Sequence, residues 1–215
     1  MDHFSNNQQL PSRSQIHGTR SGSEKGKKSN KKSDLVSFGV TIAISLAIVW
    51  LVHRFLFIPV IVDGKSMAPT LADQDHLIVS KVTTIDRFDV VIFPAPDDPK
   101  REYIKRVIGL PGDKIEYKND ILYVNDKAYE EPYLDEYKSD LVTGELLTPD
   151  FILEDIQGVS VVPEGQIFVL GDNRKVSHDG RQIGFIQQDK IIGEAKLRFW
   201  PLNKIGTIPT NGQEK

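Results

Sequence analysis

The chain has 215 residues, a length that suits one domain with an appendage and excludes a large multidomain protein. It contains no cysteine, which excludes disulfide scaffolds, cysteine-ligated zinc, iron–sulfur clusters and thiol nucleophiles. A net charge of −3 provides no overall attraction to nucleic acid, and a hydrophobic fraction of 39% is too high for a wholly disordered chain.

The first 34 residues differ from the rest of the chain in charge. They hold seven basic and three acidic side chains, which leaves 20 basic and 27 acidic residues, a net charge of −7, in residues 35–215. Polar residues and lysine dominate this stretch, and it has too few apolar side chains to offset the entropy of folding. We predict a disordered basic tail over residues 1–34, with an arm that binds nucleic acid as the alternative.

An uncharged, apolar run follows at residues 35–52. As a helix it would span roughly 27 Å, close to the hydrocarbon thickness of a bilayer. It lacks the polar stripe of a buried core helix, and no small-residue cleavage site of the kind that ends a signal peptide follows it. We predict a transmembrane anchor over residues 35–56. Because lysines crowd its N-terminal side, the tail should be cytoplasmic and the remaining chain extracellular.

The rest of the chain alternates short apolar runs with turn residues. This pattern, without sustained helical periodicity, predicts a mainly β fold with an antiparallel sheet as its core. We predict the core over residues 57–113 and 166–207, and a smaller β-rich insertion over residues 114–165. The predicted strands lie at residues 57–62, 75–82, 89–93, 103–110, 114–117, 121–125, 166–170 and 190–200.

No metal or cofactor site is evident in the sequence. The five histidines form no HExxH motif, and none is spaced with carboxylates as metal ligands usually are. Gly64, Lys65 and Ser66 resemble the end of a phosphate-binding loop, but the leading glycine of that motif would fall at Pro59. We therefore predict neither a cofactor nor a nucleotide ligand.

The tripeptide Ser177-His178-Asp179 contains the side-chain types of a hydrolytic triad. Neighbouring residues of a strand point to opposite faces, so these three cannot align as nucleophile, base and orienting acid. An exposed polar loop is the simpler interpretation.

A separate serine and lysine are better candidates for catalysis. Ser66 follows Gly64, which permits a tight backbone conformation, and Lys105 lies in the apolar segment 102–108, on the same strand face as Tyr103. Burial would lower the pKa of this lysine, at a cost of roughly 3–4.5 kcal/mol, and make its neutral amine a base for the serine proton. Snorkelling of the lysine to water is the alternative, and sequence spacing does not show that the two residues meet.

Four segments resemble, in the same order, the characteristic boxes of bacterial type I signal peptidases, the membrane-bound Ser-Lys proteases. GKSMAPTL at 64–71 resembles the nucleophile box, RFDVVIF at 87–93 the third box, YIKRVIGLPGDK at 103–114 the lysine box, and GDNRKVSHDGRQIG at 171–184 the last box. Together with the preceding apolar run they cover most of residues 35–200. The ordered set is far more specific than any single box.

The resemblance implies a role for each matching residue. Ser66 would be the nucleophile, Lys105 the general base, and Ser177 the residue that orients the lysine. The Ser66 backbone N–H would be the main oxyanion donor, because Gly64 stands where some members carry a hydroxyl. Three further residues would hold the geometry of the site: Asp172, Asp179 and Arg181. Six residues would line shallow substrate pockets: Val60, Val62, Met67, Leu71, Tyr103 and Ile104.

The implied substrate is the signal peptide of a secreted preprotein, cut after small residues at the first and third positions before the bond through an acyl-enzyme. The implied partners are therefore preproteins and the lipid bilayer. Gly64 and a single anchor are typical of Gram-positive members. Two positions depart from the family pattern: Phe88 replaces the usual glycine of the third box, and Gly180 stands where serine is common.

Two other functions remain as alternatives. A self-cleaving Ser-Lys hydrolase of the repressor type has related β architecture, but such proteins carry DNA-binding helices in place of a tail and an anchor. An anchored, non-catalytic β domain that binds exported proteins would require neither Ser66 nor Lys105.

Overall fold

The computed structural model describes residues 31–214. Residues 1–30 of the predicted tail therefore lie outside the described residues. Helix α1 spans Lys31–Phe55. It begins four residues before the predicted anchor, and the division into tail and anchor stays a prediction. Residues 31–34 contain neither proline nor glycine, and lysine is a good helix former, so the helix extends into the basic segment.

The side chains of α1 at residues 35–51 are all exposed. In the described part of the chain, no helix is long and apolar enough to cross a membrane.

Thirteen short strands make up most of the regular structure after α1 in the described chain. They are β1 Phe57–Ile61, β2 His76–Ser80, β3 Val90–Pro94, β4 Glu102–Gly109, β5 Ile115–Lys118, β6 Ile121–Val124, β7 Lys127–Glu130, β8 Phe151–Ile152, β9 Gln166–Leu170, β10 Ile186–Gln187, β11 Gly193–Trp200, β12 Gly206–Thr207 and β13 Gln213–Glu214. Eight form a sheet of order β1-β2-β11-β3-β4-β9-β10, with β12 beside β11, and five form a sheet of order β13-β7-β6-β5-β8. Neighbouring strands run antiparallel throughout, which confirms the predicted mainly antiparallel β fold.

Strand β4 lies well inside the larger sheet, between β3 and β9. Its register pairs Lys105 with Val91, and Arg106 with Val90 on one side and Leu170 on the other. Every residue of the strand from 104 to 109 is buried, because both of its faces are covered. The two charged side chains therefore leave the strand in opposite directions, each into the protein interior.

Two tight turns join three consecutive strands of the smaller sheet as antiparallel hairpins. Asn119 and Asp120 join β5 to β6, and Asn125 and Asp126 join β6 to β7, all four with positive φ. Two-residue hairpin loops of this kind favour Asn and Asp, because these residues tolerate the left-handed conformation.

The smaller sheet shares a hydrophobic core with the larger one. Tyr117 and Leu122 of the smaller sheet pack in one cluster with Ile108, Phe168 and Leu170 of the larger sheet. Strands β5–β8 fall within the predicted insertion, residues 114–165, but the fifth strand, β13, comes from the C-terminal end of the chain. The division into core and insertion remains a prediction, and the tertiary structure adds residues 213–214 to the smaller sheet.

Three short α-helices interrupt the β structure: α2 Asp135–Ser139, α3 Leu153–Gln157 and α4 Gly180–Ile183. The sequence predicted no helix in this region. Four or five residues make little more than one turn, so these segments carry no detectable 3.6-residue periodicity.

Candidate active site

Ser66 lies in a tight turn between β1 and β2. Gly64 begins the turn with φ +91°, a conformation that other residues rarely adopt, and its N–H donates to Asp73 Oδ1 at 2.8 Å. Further along, the Leu71 N–H donates to the Met67 carbonyl at 2.9 Å. The turn holds the Ser66 side chain half-buried at the wall of a cleft.

Lys105 reaches Ser66 from strand β4. Its Nζ donates to Ser66 Oγ at 2.9 Å and to the Ile104 carbonyl at 3.0 Å, and it lies 5.1 Å from the centre of the Tyr103 ring. The residue is only 3% exposed, so the snorkelling alternative is wrong.

Burial lowers the pKa of Lys105 to about 8, although the carboxylates of Asp179 and Asp172 act in the opposite direction. A displacement of this size corresponds to about 3 kcal/mol of destabilisation of the ammonium form. With a pKa of about 8, roughly one tenth of the amine is neutral at pH 7, whereas an ordinary lysine is almost entirely protonated there.

The loop at residues 171–179 closes over the backbone of Ser66. The Asn173 N–H donates to the Ser66 carbonyl at 3.0 Å, and Asn173 Nδ2 donates to the Lys65 carbonyl at 3.2 Å. Gly171 makes this approach possible, because a Cβ atom there would overlap Ser177 Oγ and the Ser66 carbonyl oxygen. The loop thus holds the backbone of residues 65 and 66 in place.

Ser177 is buried in this loop, but its expected bond to the lysine is not observed. Its Oγ has no hydrogen-bond partner among the described residues, and the hydrogen bonds of Lys105 Nζ go to Ser66 and Ile104. The lysine-orienting role of Ser177 therefore stays a prediction.

Asp172 forms a fully buried ion pair with Arg106. The Arg106 Nε and Nη2 atoms donate to the two carboxylate oxygens at 2.9 and 2.7 Å, and Thr70 Oγ1 donates to Oδ2 at 2.5 Å. The pair joins the loop at residues 171–179 to β4 and to the nucleophile turn. The geometric role of Asp172 in the site stays a prediction.

Asp179 and Arg181 stabilise the other end of the loop. Asp179 caps helix α4, accepts the Gly171 N–H at 3.0 Å and forms an ion pair with Arg181. Arg181 Nη2 also donates to the Arg174 carbonyl at 2.8 Å. The carboxylate thereby ties the start of the loop to its end, as expected for residues that hold the site in place.

The two departures from the family pattern have structural explanations. Phe88 has φ +72°, the left-handed region that suits glycine, and its buried ring packs against Tyr129 and Tyr133. A Cβ at Gly180 would collide with the Val169 carbonyl and the Phe168 ring, so a serine would not fit without a shift.

A cleft of about 680 Å³ lies beside Ser66 and Lys105. Five of the six predicted pocket residues line it: Val60, Val62, Met67, Tyr103 and Ile104. Leu71 does not line the cleft; it is buried and packs in the core with Leu77 and Val79. Among the described residues, no group of three His, Asp or Glu side chains is arranged to hold a metal ion.

His178 lies at the rim of the cleft and does not form a triad with its neighbours. Its Nε2 lies 3.6 Å from Asp97 Oδ2, which also accepts the Tyr103 hydroxyl at 2.9 Å. His178 is half exposed whereas Ser177 is buried, so the rejection of Ser177-His178-Asp179 as a catalytic triad agrees with the geometry.

Sequence reasoning missed Arg106, Thr70 and Asn173 as site residues. Arg106 carried a usable signal, because a charge within an apolar strand must find a buried partner. Thr70 and Asn173 lie within the nucleophile box and the last box, but their partners are about a hundred residues away in the chain, so local sequence did not indicate their contacts.

The family described as "Signal peptidase, peptidase S26" matches residues 35–200. Signal peptidase I of Bacillus caldolyticus is 48% identical over 163 residues, covering 74% of this chain and 88% of that protein. Signal peptidase IB of Staphylococcus aureus is 41% identical over 165 residues, covering 73% of this chain and 85% of that protein. A crystal structure of a signal peptidase I from Enterococcus faecalis V583 matches with a TM-score of 0.51 and 41% identity, covering 53% of this chain and 97% of that chain.

The match spans most of the chain and includes the nucleophile turn, the lysine strand and the loop that closes over them. With two relatives above 40% identity, the resemblance to type I signal peptidases is confirmed. The chain belongs to the type I signal peptidases of peptidase family S26, and it is a serine endopeptidase.

Proposed function

We propose that this protein is a membrane-anchored signal peptidase I that removes N-terminal signal peptides from secreted preproteins with a Ser66–Lys105 dyad. The observation that carries the proposal is the 2.9 Å distance between Ser66 Oγ and a lysine Nζ that is almost fully buried. A lysine of ordinary pKa would be protonated and could not accept the serine proton.

In the proposed mechanism, the lone pair of neutral Lys105 accepts the Ser66 proton while an N–H of the same amine donates to the Ile104 carbonyl. Ser66 Oγ attacks the scissile carbonyl carbon, and the Ser66 backbone N–H stabilises the oxyanion. The Gly64 N–H is engaged with Asp73, so it is not a second donor. The lysine ammonium then protonates the leaving amine, and water hydrolyses the acyl-enzyme.

The cleft supports a substrate that binds as an extended strand. Val60 and Val62 line it from the segment at and just after edge strand β1, and Tyr103 and Ile104 line it from β4. An extended peptide turns alternate side chains toward the same wall, which matches a requirement for small residues at the first and third positions before the cut.

We expect the catalytic domain to lie outside the cell membrane, with residues 35–56 as its anchor. The support is the uncharged run that follows a lysine-rich segment. A reporter that is active only outside the cytoplasm should be active when fused after residue 215 and inactive when fused before residue 1. A cytoplasmic C-terminal reporter would exclude this topology.

The pH dependence of cleavage should reveal the neutral lysine. Because Lys105 must be deprotonated and its pKa is about 8, kcat/KM should fall about 50-fold between pH 8 and pH 6, with a slope that approaches tenfold for each pH unit at the acid end. Initial rates of preprotein cleavage in detergent should be measured over this range, with circular dichroism to establish that the protein stays folded. A rate that is flat down to pH 6 would exclude Lys105 as the base.

A further inference from the structure

A buried carboxylate lies outside the proposed dyad, at the boundary between the two sheets. Glu131 follows β7 and is 3% exposed. Its Oε1 accepts three hydrogen bonds, each of 2.7 Å, from the Tyr117 hydroxyl, the Tyr133 hydroxyl and Arg174 Nη2. The mechanism described above does not use this residue.

One arm of the cluster leads to the nucleophile through Arg174. Arg174 Nη1 donates to the Tyr117 hydroxyl at 2.8 Å and to Thr148 Oγ1 at 3.1 Å. Together with Glu131, these two residues fix the position of the guanidinium. The preceding residue, Asn173, donates its N–H to the Ser66 carbonyl. A displacement of Arg174 would therefore be transmitted directly to the backbone of Ser66.

The second arm leads to the lysine strand through Tyr133. The Arg106 guanidinium lies 3.8 Å from the centre of the Tyr133 ring, a cation–π contact in a fully desolvated position. Arg106 follows Lys105 in β4 and forms the bidentate ion pair with Asp172. Both arms thus meet at the loop that covers the site.

The charge of Glu131 is better explained by positioning than by stability. A buried ion pair usually costs about as much in desolvation as it returns, and an apolar cluster of similar volume would be equally stable. A single carboxylate oxygen that accepts three hydrogen bonds does, however, determine the positions of all three donors. Although burial opposes ionisation, the charge of Arg174 and the hydrogen bonds from Tyr133, Arg174 and Tyr117 hold the pKa of Glu131 below its ordinary value.

We propose that Glu131 is a positioning residue for peptide cleavage: through Arg174 and Tyr133 it holds the loop at residues 171–177 so that Ser66 and Lys105 stay aligned. This inference rests on the dyad proposed above. It also assigns the smaller sheet a direct part in catalysis, as the support of the loop.

The test is Glu131→Gln in the full-length, detergent-solubilised protein, with a peptide substrate that carries small residues at the first and third positions before the cut. Gln keeps the size of the side chain but leaves the charge of Arg174 uncompensated. We expect kcat to fall about 10- to 100-fold with KM changed less than about twofold, because a misalignment of about 1 Å has effects of this size. A looser loop would admit water to Lys105 and so raise its pKa, because burial is what lowers that pKa. The acid limb of kcat/KM should therefore move to higher pH. Amide hydrogen exchange at residues 171–177 should become faster.

Glu145→Gln is the matched control. Glu145 is a half-exposed acid that pairs with Lys175 of the same loop at 3.2 Å, and its replacement should change none of these quantities. The proposal is overturned if Glu131→Gln lowers the melting temperature but leaves kcat, the acid limb of kcat/KM and hydrogen exchange in the loop unchanged. If Glu131→Gln does not fold, Tyr133→Phe removes one hydrogen bond and keeps the ring, and kcat should fall about fivefold. An unchanged kcat would then overturn the proposal.

The exchange measurement separates this inference from the dyad. If Lys105→Ala still cleaves substrate, the dyad is wrong, yet exchange at residues 171–177 in Glu131→Gln still decides whether Glu131 holds the loop. If Lys105→Ala is inactive and Glu131→Gln is fully active, the dyad stands and the role of Glu131 is excluded.

Discussion

Replacing Ser66 or Lys105 by alanine should each lower kcat/KM for signal-peptide cleavage by at least about 10⁴-fold. Ser66→Ala removes the nucleophile, and Lys105→Ala removes the only amine within hydrogen-bonding distance of it among the described residues. Because the two side chains act as a unit, the double variant should be no slower than either single variant. The measurement is the appearance of the shortened product from a preprotein incubated with detergent-solubilised enzyme.

Both variants should remain folded, since neither side chain bridges separate parts of the core by an ion pair. The melting temperature of Lys105→Ala should stay close to that of the parent protein, because the lost packing is offset by relief of the buried amine. Lys118→Ala, at an exposed position on β5, is a suitable control and should keep full activity. Appreciable cleavage by Lys105→Ala would remove the lysine from the role of base and would favour a different proton acceptor.

The largest effect on stability is expected from Asp172→Asn. Asp172 and Arg106 are both fully buried, and they form two hydrogen bonds of 2.9 and 2.7 Å. Asparagine would keep the shape of the side chain but would leave the arginine charge uncompensated in the interior. The free energy of unfolding should therefore fall by about 3–5 kcal/mol.

Urea denaturation of the full-length protein in detergent measures this loss. Glu145→Gln again provides the control, because breaking its exposed pair with Lys175 should cost less than about 1 kcal/mol. A similar loss in the two variants would show that the Arg106–Asp172 pair contributes no more than a surface contact. In that case Asp172 would act through the position of the loop alone.

Local sequence patterns predicted the strands that form the framework of the site. The runs that contain β3, β4 and β9 could be recognised because apolar side chains and turn residues alternate over short distances. The strands β7, β8, β10, β12 and β13 were missed, and all of them except β7 have only two residues. Their pairing depends on the neighbouring strand, and no periodicity can be read from two positions.

Ser66 and Lys105 were chosen as the candidate dyad from their residue types, but the distance between them was not predicted. Ser66 and Lys105 are 39 positions apart, and Arg106 and Asp172 are 66 apart, so local propensity contains no information on either distance. Leu71 was assigned to the substrate pocket and lies in the core, since its direction is determined by the packing of the nucleophile turn.

The amino-acid composition and the distribution of charge agree with the proposed function. The absence of cysteine and the uneven charge, a basic N-terminal segment before residues of net charge −7, were properties of the sequence alone, and they directed attention to serine chemistry and to an anchor. Tertiary structure alone decided that Lys105 is buried, that its pKa is about 8, and that Glu131 contacts Arg174 of the loop at residues 171–179. The physical reason is that a pKa depends on desolvation and on nearby charges, and both arise only when segments distant in the sequence pack together.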